Sequence, residues 1–228
     1  MTYKHLSFVS LFAVAALSAS AQRNVENFNF GWQFHRGNID VAAINTSDGS
    51  WETINVPHDF QISQPWVAPA ANESEDNSDG ASNFKSRLSA RGFKEMGDGW
   101  YVKTYTPAAD MKGRRILLDF EGIMYVGDVY LNGKRIGGTD YGYLGFDIDV
   151  SKLLKYGQAN TIAVHASTSG PLNSRWYTGG GLYRDVKIVS TPADIYFVRH
   201  PLYVTTTDNH LVNLQVEVAN YTKQNNVK

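Results

Sequence analysis

The residue types best suited to holding a ligand are concentrated between Ser174 and Val186. Guanidinium groups suit carboxylates and aromatic faces, and rings with polar edges hold sugars or neighbouring domains. Glycine permits positive φ and the close approach of another backbone. The stretch therefore forms either a binding surface or a glycine-loosened turn whose rings fill the end of a core. Its candidate residues are Arg175, Trp176, Tyr177, Gly179, Gly180, Gly181, Tyr183 and Arg184.

Two aspartates lie beside aromatic residues in turn-like surroundings. Asp59 precedes Phe60 in the run Val56-Pro57-His58-Asp59-Phe60, and Asp140 precedes Tyr141 in a glycine-containing segment. A short carboxylate of this kind caps turns through its own backbone, or it accepts hydrogen bonds from sugar hydroxyls. Both interpretations stay open for each residue.

Other kinds of chemistry find little support. The six histidines do not show the spacing of a zinc site, and His165, inside a strand-like run, is expected to be a satisfied core or face residue. The chain has neither a Gly-x-Ser-x-Gly nucleophile motif nor a phosphate loop. Its formal net charge of -1 argues against a nucleic-acid partner.

Outside these residues, much of the chain shows the alternation of apolar and polar side chains that is typical of β-strands. Phe28, Phe30, Trp32 and Phe34 recur with period two and predict one half-buried strand. Asn132-Gly133 predicts a two-residue hairpin turn, and Ser151–Leu154 predicts a helical turn with Ser151 as its N-cap. Many short strands with almost no helix indicate an all-β sandwich. The strands are expected at 51–56, 100–105, 115–120, 125–131, 134–136, 146–150, 161–166, 183–189, 195–198, 202–206 and 211–218.

Composition and the pattern of residue types divide the chain into a targeting segment, a sandwich with a polar excursion, and the start of a second domain. Residues 1–21 combine Lys4, an apolar run and a small-x-small site before Gln22, which predicts a signal peptide and export to the periplasm or beyond, with no membrane span. Residues 68–99 are predicted to be a polar surface excursion. Residues 22–192 are expected to form one sandwich, and 193–228 to begin a second domain whose remainder is not in this sequence.

Six motifs in order carry a family resemblance. They are Val56–Phe60, Gly99–Lys103, Phe120–Ile123, Val129–Lys134, Phe146–Ile148 and Arg175–Val186. Together they resemble the N-terminal sugar-binding domain of glycoside hydrolase family 2, which includes β-galactosidases, β-glucuronidases and β-mannosidases. The resemblance covers about residues 27–192, and the following tail resembles the start of that family's immunoglobulin-like domain. With its predicted signal peptide, the chain most resembles the exported β-galactosidases of this family.

The resemblance implies a jelly-roll, galactose-binding-like sandwich that leans on a downstream (β/α)₈ barrel of the same chain. Retaining glycosidases use two carboxyl groups, and the family places both, as glutamates, in that barrel, so no catalytic residue is expected here. By the same resemblance Asp59 and Asp140 contact a β-galactoside or β-linked oligosaccharide, although some members have asparagine at the position of Asp59. Arg175, Trp176, Gly179, Gly180, Gly181 and Arg184 are implied to form the scaffold that faces the barrel.

No cofactor is expected in this stretch, while the full-length enzyme is expected to bind a monovalent or divalent cation near the sugar. Two other functions remain open from the sequence. One is a stand-alone carbohydrate-binding module without hydrolytic activity, and the other is a structural surface protein with two β domains. The choice between galactoside, glucuronide and mannoside is also open.

Overall fold

The computed structural model describes residues 23–67, 93–169, 177–207 and 211–222. Within these residues, twelve strands form three antiparallel sheets, with the orders β1-β10-β5-β8, β3-β2-β4-β9-β6-β7 and β11-β12. The same residues include the short 3-10 helices Val41–Ala43 and Ala109–Met111, which lie between strands. The strands are β1 (Asn24–Asn27), β2 (Trp32–Arg36), β3 (Glu52–Ile54), β4 (Asp98–Tyr105), β5 (Arg115–Phe120), β6 (Val126–Leu131), β7 (Lys134–Thr139), β8 (Phe146–Asp149), β9 (Asn160–Ser167), β10 (Val186–Thr191), β11 (Ile195–Thr206) and β12 (Val212–Asn220).

The four-stranded and six-stranded sheets face each other across one apolar core, which confirms the predicted sandwich. Trp32 and Tyr101 enter this core from the six-stranded sheet, and Ile116, Leu118 and Ile188 enter it from the four-stranded sheet. Each of these side chains is at most 2% exposed. Burial of such large apolar groups supplies most of the driving force for folding, so the sandwich needs no cross-links.

A second, smaller cluster covers the outer face of the six-stranded sheet. Trp100 and Val102 point away from the main core and are covered by the segment that includes Val41 and Trp51. His165, opposite Trp100 in the next strand, stacks on its ring and lies 2.9 Å from Asp98 through Nε2. The interpretation of His165 as a satisfied face residue is therefore confirmed.

The aromatic alternation from Phe28 to Phe34 is not one strand, so that prediction is wrong. β1 ends at Asn27, Phe30 is 64% exposed, and β2 starts at Trp32. The chain changes sheets here, because β1 pairs with β10 whereas β2 pairs with β3 and β4. Buried Asn29 holds the crossing: its amide donates to Asp185 Oδ1 at 2.9 Å, and its Oδ1 accepts from the Val186 N–H at 2.8 Å.

One turn prediction is confirmed in full, and the other is confirmed for the turn at 151–154 but wrong for its cap. Asn132 and Gly133 have φ of 51° and 81°, the geometry of a primed hairpin turn between β6 and β7, so the predicted hairpin is confirmed. Ser151 is not a helix N-cap. Its hydroxyl oxygen accepts from the Ile116 N–H at 2.8 Å, and the following residues form a single turn on the Val150 carbonyl.

β11 and β12 form a separate ribbon after the sandwich. Two predicted strands, 195–198 and 202–206, are one strand, whose pairing with β12 shifts between Phe197 and Leu202. Arg199 reaches back to the sandwich, where its guanidinium donates to Asp119 Oδ1 at 2.9 Å and to the Gly145 carbonyl at 2.8 Å. The ribbon is thus tied to the loop between β7 and β8.

Candidate functional site

Three segments meet at one end of the sandwich. They are residues 56–60 after β3, residues 140–145 between β7 and β8, and residues 177–185 before β10. The first is bound to the third by backbone hydrogen bonds from His58 N–H to the Leu182 carbonyl at 2.7 Å and from Phe60 N–H to the Gly180 carbonyl at 2.9 Å. The second is bound to it by the Tyr183 hydroxyl, which donates to the Gly142 carbonyl at 2.8 Å. The segment 177–185 therefore connects the two candidate acids.

Asp59 is half-buried and has three partners in the described part of the chain. Its Oδ1 accepts from the backbone N–H groups of Gln61 at 3.0 Å and Gly180 at 2.9 Å. Its Oδ2 accepts from the Tyr177 hydroxyl at 2.8 Å. The Gln61 bond is the turn-capping geometry expected from the sequence, and the other two join distant segments. A carboxylate can accept about four hydrogen bonds, so Oδ2 retains capacity for a ligand.

The Tyr177 phenol is protonated at neutral pH. Burial, followed by its hydrogen bond to Asp59 and the charge of that carboxylate, raises the pKa of the Tyr177 phenol far above its usual range. The hydroxyl proton is therefore present to be donated to Asp59, and the Tyr177 oxygen faces its other neighbours as an acceptor.

Buried Tyr101 and half-buried His58 form a hydrogen-bonded pair that joins strand β4 to the segment 56–60. The Tyr101 side chain is fully buried, and its hydroxyl lies 2.9 Å from His58 Nδ1. Burial raises the pKa of Tyr101 well above its ordinary value. Desolvation lowers the pKa of His58, although the charges of Glu52 and Asp59 oppose this shift. Both groups are accordingly neutral at pH 7. The Tyr101 hydroxyl also donates to the His58 carbonyl at 3.4 Å, and the tautomer of His58 sets which of the two side chains donates in the Nδ1 contact.

The sequence analysis did not identify this pair as part of the site. Tyr101 lies in the middle of a strand whose neighbours are apolar, and a buried tyrosine hydroxyl in such a place requires a partner. That requirement was the available signal. It could not name His58 as the partner, because the two residues are 43 positions apart in the chain.

The glycines at 179–181 are required by packing inside the sandwich. Gly181 has φ of 111°, and a Cβ there would lie 2.0 Å from the Tyr101 hydroxyl oxygen. Gly179 has φ of 75°, and its Cβ would lie 2.6 Å from Asp59 Oδ2. The predicted need for glycine in this stretch is therefore confirmed at 179 and 181, while a binding surface and a core-filling turn both stay open for its rings. The role of Gly179, Gly180, Gly181 and Arg184 as a scaffold facing a barrel stays a prediction, and Arg175 and Trp176 lie outside the described residues.

Asp140 differs from Asp59 because its carboxylate is exposed and has no hydrogen bond or ion pair with any described residue. The loop that carries it is nevertheless held by three side chains. Tyr183 donates to the Gly142 carbonyl, Arg184 lies 3.5 Å from the Tyr143 carbonyl, and Arg199 donates to the Gly145 carbonyl. The free carboxylate is thus presented by a fixed backbone. Its contact with substrate stays a prediction.

Within residues 23–67, 93–169, 177–207 and 211–222, no group of three or more histidine, cysteine, aspartate or glutamate side chains could hold a metal ion. Nor does any helix in this part of the chain reach the length and hydropathy needed to cross a bilayer. The predicted signal peptide lies outside the described residues, as does most of the 68–99 excursion. The two ends of that excursion meet in a bridge between Trp66 and Lys94.

Comparison with known proteins identifies the family. Residues 88–174 match the model of the glycosyl hydrolase 2 galactose-binding domain-like family. The chain is 34% identical over 170 residues to a putative β-glucuronidase of Formosa agariphila, a match that covers 74% of this chain and 15% of that protein. It is 29% identical over 218 residues to the β-galactosidase BoGH2A of Bacteroides ovatus, covering 93% of this chain and 24% of that enzyme.

A solved structure agrees with the sequence matches. A β-glycosidase from Bacteroides vulgatus superposes with a TM-score of 0.71 at 28% identity, over 88% of this chain and 25% of that one. The chain thus spans a quarter or less of the length of these relatives. The ordered motifs, the sandwich and these matches lead to one conclusion: the chain belongs to glycoside hydrolase family 2 and contains its galactose-binding-like N-terminal domain.

Proposed function

We propose that this chain is the N-terminal sugar-binding portion of an exported, retaining exo-β-glycosidase. Its loops contribute the rim of the sugar pocket, and both catalytic glutamates lie in a downstream (β/α)₈ barrel. The observation that carries the proposal is the fixed geometry of the two acid loops, since Asp59 and the Asp140 loop are bound to the same segment, 177–185. Two carboxylates held at one end of the sandwich suit hydrogen bonding to sugar hydroxyls.

The substrate is a neutral β-galactoside under this proposal. The matched relatives are named both β-galactosidases and β-glucuronidases. Like charges repel each other, and more strongly where burial lowers the dielectric, so half-buried Asp59, together with Asp140, disfavours the carboxylate of a glucuronide. The full-length enzyme should therefore hydrolyse an aryl β-galactoside faster than the matching β-glucuronide, and the reverse order would contradict this substrate class.

The contact by Asp140 is tested in the full-length enzyme with Asp140→Ala. Loss of a hydrogen bond that involves a charged group costs about 1.5–3 kcal/mol, so kcat/KM should fall roughly ten- to a hundredfold. Asp110→Ala is the matched control, because Asp110 is also exposed but lies in the 3-10 helix before β5. Equal activity of the two variants would show that Asp140 does not touch the substrate.

Two further measurements test whether the catalytic centre lies downstream of this segment and whether the protein is exported. Residues 1–228 expressed alone are expected to be catalytically silent and prone to aggregate, and measurable turnover of an aryl galactoside by this segment would contradict a downstream catalytic centre. Export predicts a mature protein that begins at Gln22, which mass spectrometry of the secreted or periplasmic protein would detect.

A stand-alone carbohydrate-binding module is the second candidate, favoured by exposed rings near the acids. Tyr141 is 48% exposed and lies beside Tyr143, with ring centroids 5.7 Å apart. Calorimetry of residues 22–192 with galactosides separates the two candidates. The first proposal expects binding too weak to measure, because the barrel supplies the rest of the pocket, whereas the module requires saturable binding.

A further inference from the structure

The strongest unused feature of the site is the pair formed by Tyr177 and Asp59. Both side chains are half-buried, and their oxygens are 2.8 Å apart in the hydrogen bond from the Tyr177 hydroxyl to Asp59 Oδ2. Asp59 Oδ1 is occupied by two backbone N–H groups. Among the described residues, Oδ2 and the Tyr177 oxygen have no further hydrogen-bond partner, so the capacity for a ligand lies on these two neighbouring oxygens.

The buried backbone of Gly179 packs directly against Oδ2. Residue 179 has no side chain, and a Cβ at that position would lie 2.6 Å from Oδ2. The Gly179 backbone also has φ of 75°, a conformation that residues with a Cβ rarely adopt. The chain thus uses a conformation specific to glycine at the one position where a Cβ would crowd the available carboxylate oxygen.

Both available oxygens are acceptors only. The Tyr177 proton is committed to Asp59, and an ionised carboxylate has no proton to donate. Two acceptors at hydrogen-bond separation match two donors at a similar separation, which is the arrangement of hydroxyl groups on neighbouring carbons of a pyranose ring. A lone hydroxyl would leave one of the two partly desolvated acceptors unpaired.

We propose that Tyr177 is a sugar ligand in its own right, and that Tyr177 and Asp59 together recognise two adjacent hydroxyls of the glycosyl unit. One hydroxyl donates to Asp59 Oδ2 and the other donates to the Tyr177 oxygen. This inference rests on the proposed function, since it assigns a recognition rule to the same site. It makes Tyr177 a specificity-determining residue in addition to the support that it gives Asp59.

The experiment uses the full-length enzyme, a series of monodeoxy aryl β-glycosides and the variant Tyr177→Phe. For wild type, kcat/KM should fall most for two deoxy substrates that lack hydroxyls on neighbouring carbons. Tyr177→Phe should lower kcat/KM for the parent substrate roughly tenfold. For one of those two deoxy substrates, wild type and variant should react equally fast, because the hydroxyl that Tyr177 binds is already missing.

Tyr156→Phe is the matched control. The Tyr156 hydroxyl also donates to a partly buried acceptor, the Ser151 carbonyl at 2.8 Å. Tyr156 precedes the first residue of β9, whereas the Asp98–Ser167 pair is at the last residue of that strand, so the two lie at opposite ends of β9. The control should leave the whole substrate series unchanged.

A uniform loss for every substrate with Tyr177→Phe would show that Tyr177 only supports Asp59, and no loss would also overturn the inference. If the variant does not fold, the wild-type series alone decides, since two costly deoxy positions that are not adjacent contradict the rule. Failure of the proposed function gives a different result from failure of this inference, because the wild-type enzyme would then hydrolyse neither the parent aryl β-galactoside nor the matching β-glucuronide.

Discussion

The substitution Gly181→Ala tests the packing of the site most directly. Its Cβ would lie 2.0 Å from the Tyr101 hydroxyl oxygen and 2.9 Å from the His58 carbonyl oxygen, on a backbone with φ of 111°. An unfavourable backbone conformation costs about 1–3 kcal/mol, and insertion of a methyl group into a packed site costs about 1–3 kcal/mol. Loss of unfolded-state entropy returns about 0.4–1 kcal/mol. The free energy of unfolding should therefore fall by roughly 1–5.5 kcal/mol, a large part of the ~5–15 kcal/mol typical of a domain.

The control is Gly133→Ala in the β6–β7 turn. Its φ of 81° imposes a similar backbone strain, but no atom lies within 4 Å of the added Cβ. The difference between the two variants therefore isolates crowding from strain. Urea unfolding of the chain, followed by the fluorescence of buried Trp32 and Trp100, measures both free energies.

A double variant identifies the crowding atom. Tyr101→Phe removes the hydroxyl oxygen that the new Cβ would strike, so Gly181→Ala should cost less in that background. The two single changes should then sum to at least ~1 kcal/mol more than the double change costs. The reasoning is refuted if Gly181→Ala destabilises the chain no more than Gly133→Ala does.

Three other predictions concern the same end of the sandwich. Asp59→Ala should lower the unfolding free energy by about 1–3 kcal/mol for the buried donors left unpaired, and Asp59→Asn should cost less because it keeps an acceptor oxygen, a difference that urea unfolding measures. Arg199→Ala should speed amide hydrogen exchange in residues 140–145 more than Arg199→Lys does, and equal exchange would contradict the hold on Gly145. The folded pKa of His58 is lowered, so its contribution to stability is complete above its unfolded pKa of about 6.5 and is lost as pH falls towards the folded pKa. The difference in unfolding free energy between wild type and His58→Asn should therefore shrink from pH 7 to pH 5. A difference that stays constant over this range would contradict the lowered pKa.

Local features of this protein were predictable from sequence because their causes are local. Asn132 and Gly133 tolerate positive φ, so the turn between β6 and β7 is determined by those two residues. β5 matched its predicted bounds, 115–120, because its apolar run ends at turn residues on both sides. The six ordered motifs likewise indicated the family, since residue types in order carry that information.

Which sheet a strand joins was not predictable in the same way. Alternation from Phe28 to Phe34 reports that side chains point to opposite faces, but it does not report where the chain crosses between layers. The crossing depends on buried Asn29, whose partner Asp185 is 156 positions away in the chain. Only the tertiary structure brings such a pair together.

The stretch from Ser174 to Val186 shows the same division. Its sequence established that glycines, rings and arginines occur together and that the backbone there needs unusual freedom. The folded chain decided what the freedom is for: Gly181 packs against the Tyr101 hydroxyl, and Gly179 packs against the Asp59 carboxylate. Tyr177 reaches Asp59 across 118 positions of sequence. Hydrogen bonds of this kind depend on distance in space, which residue order alone does not specify, so the site was determined by the packing of the sandwich.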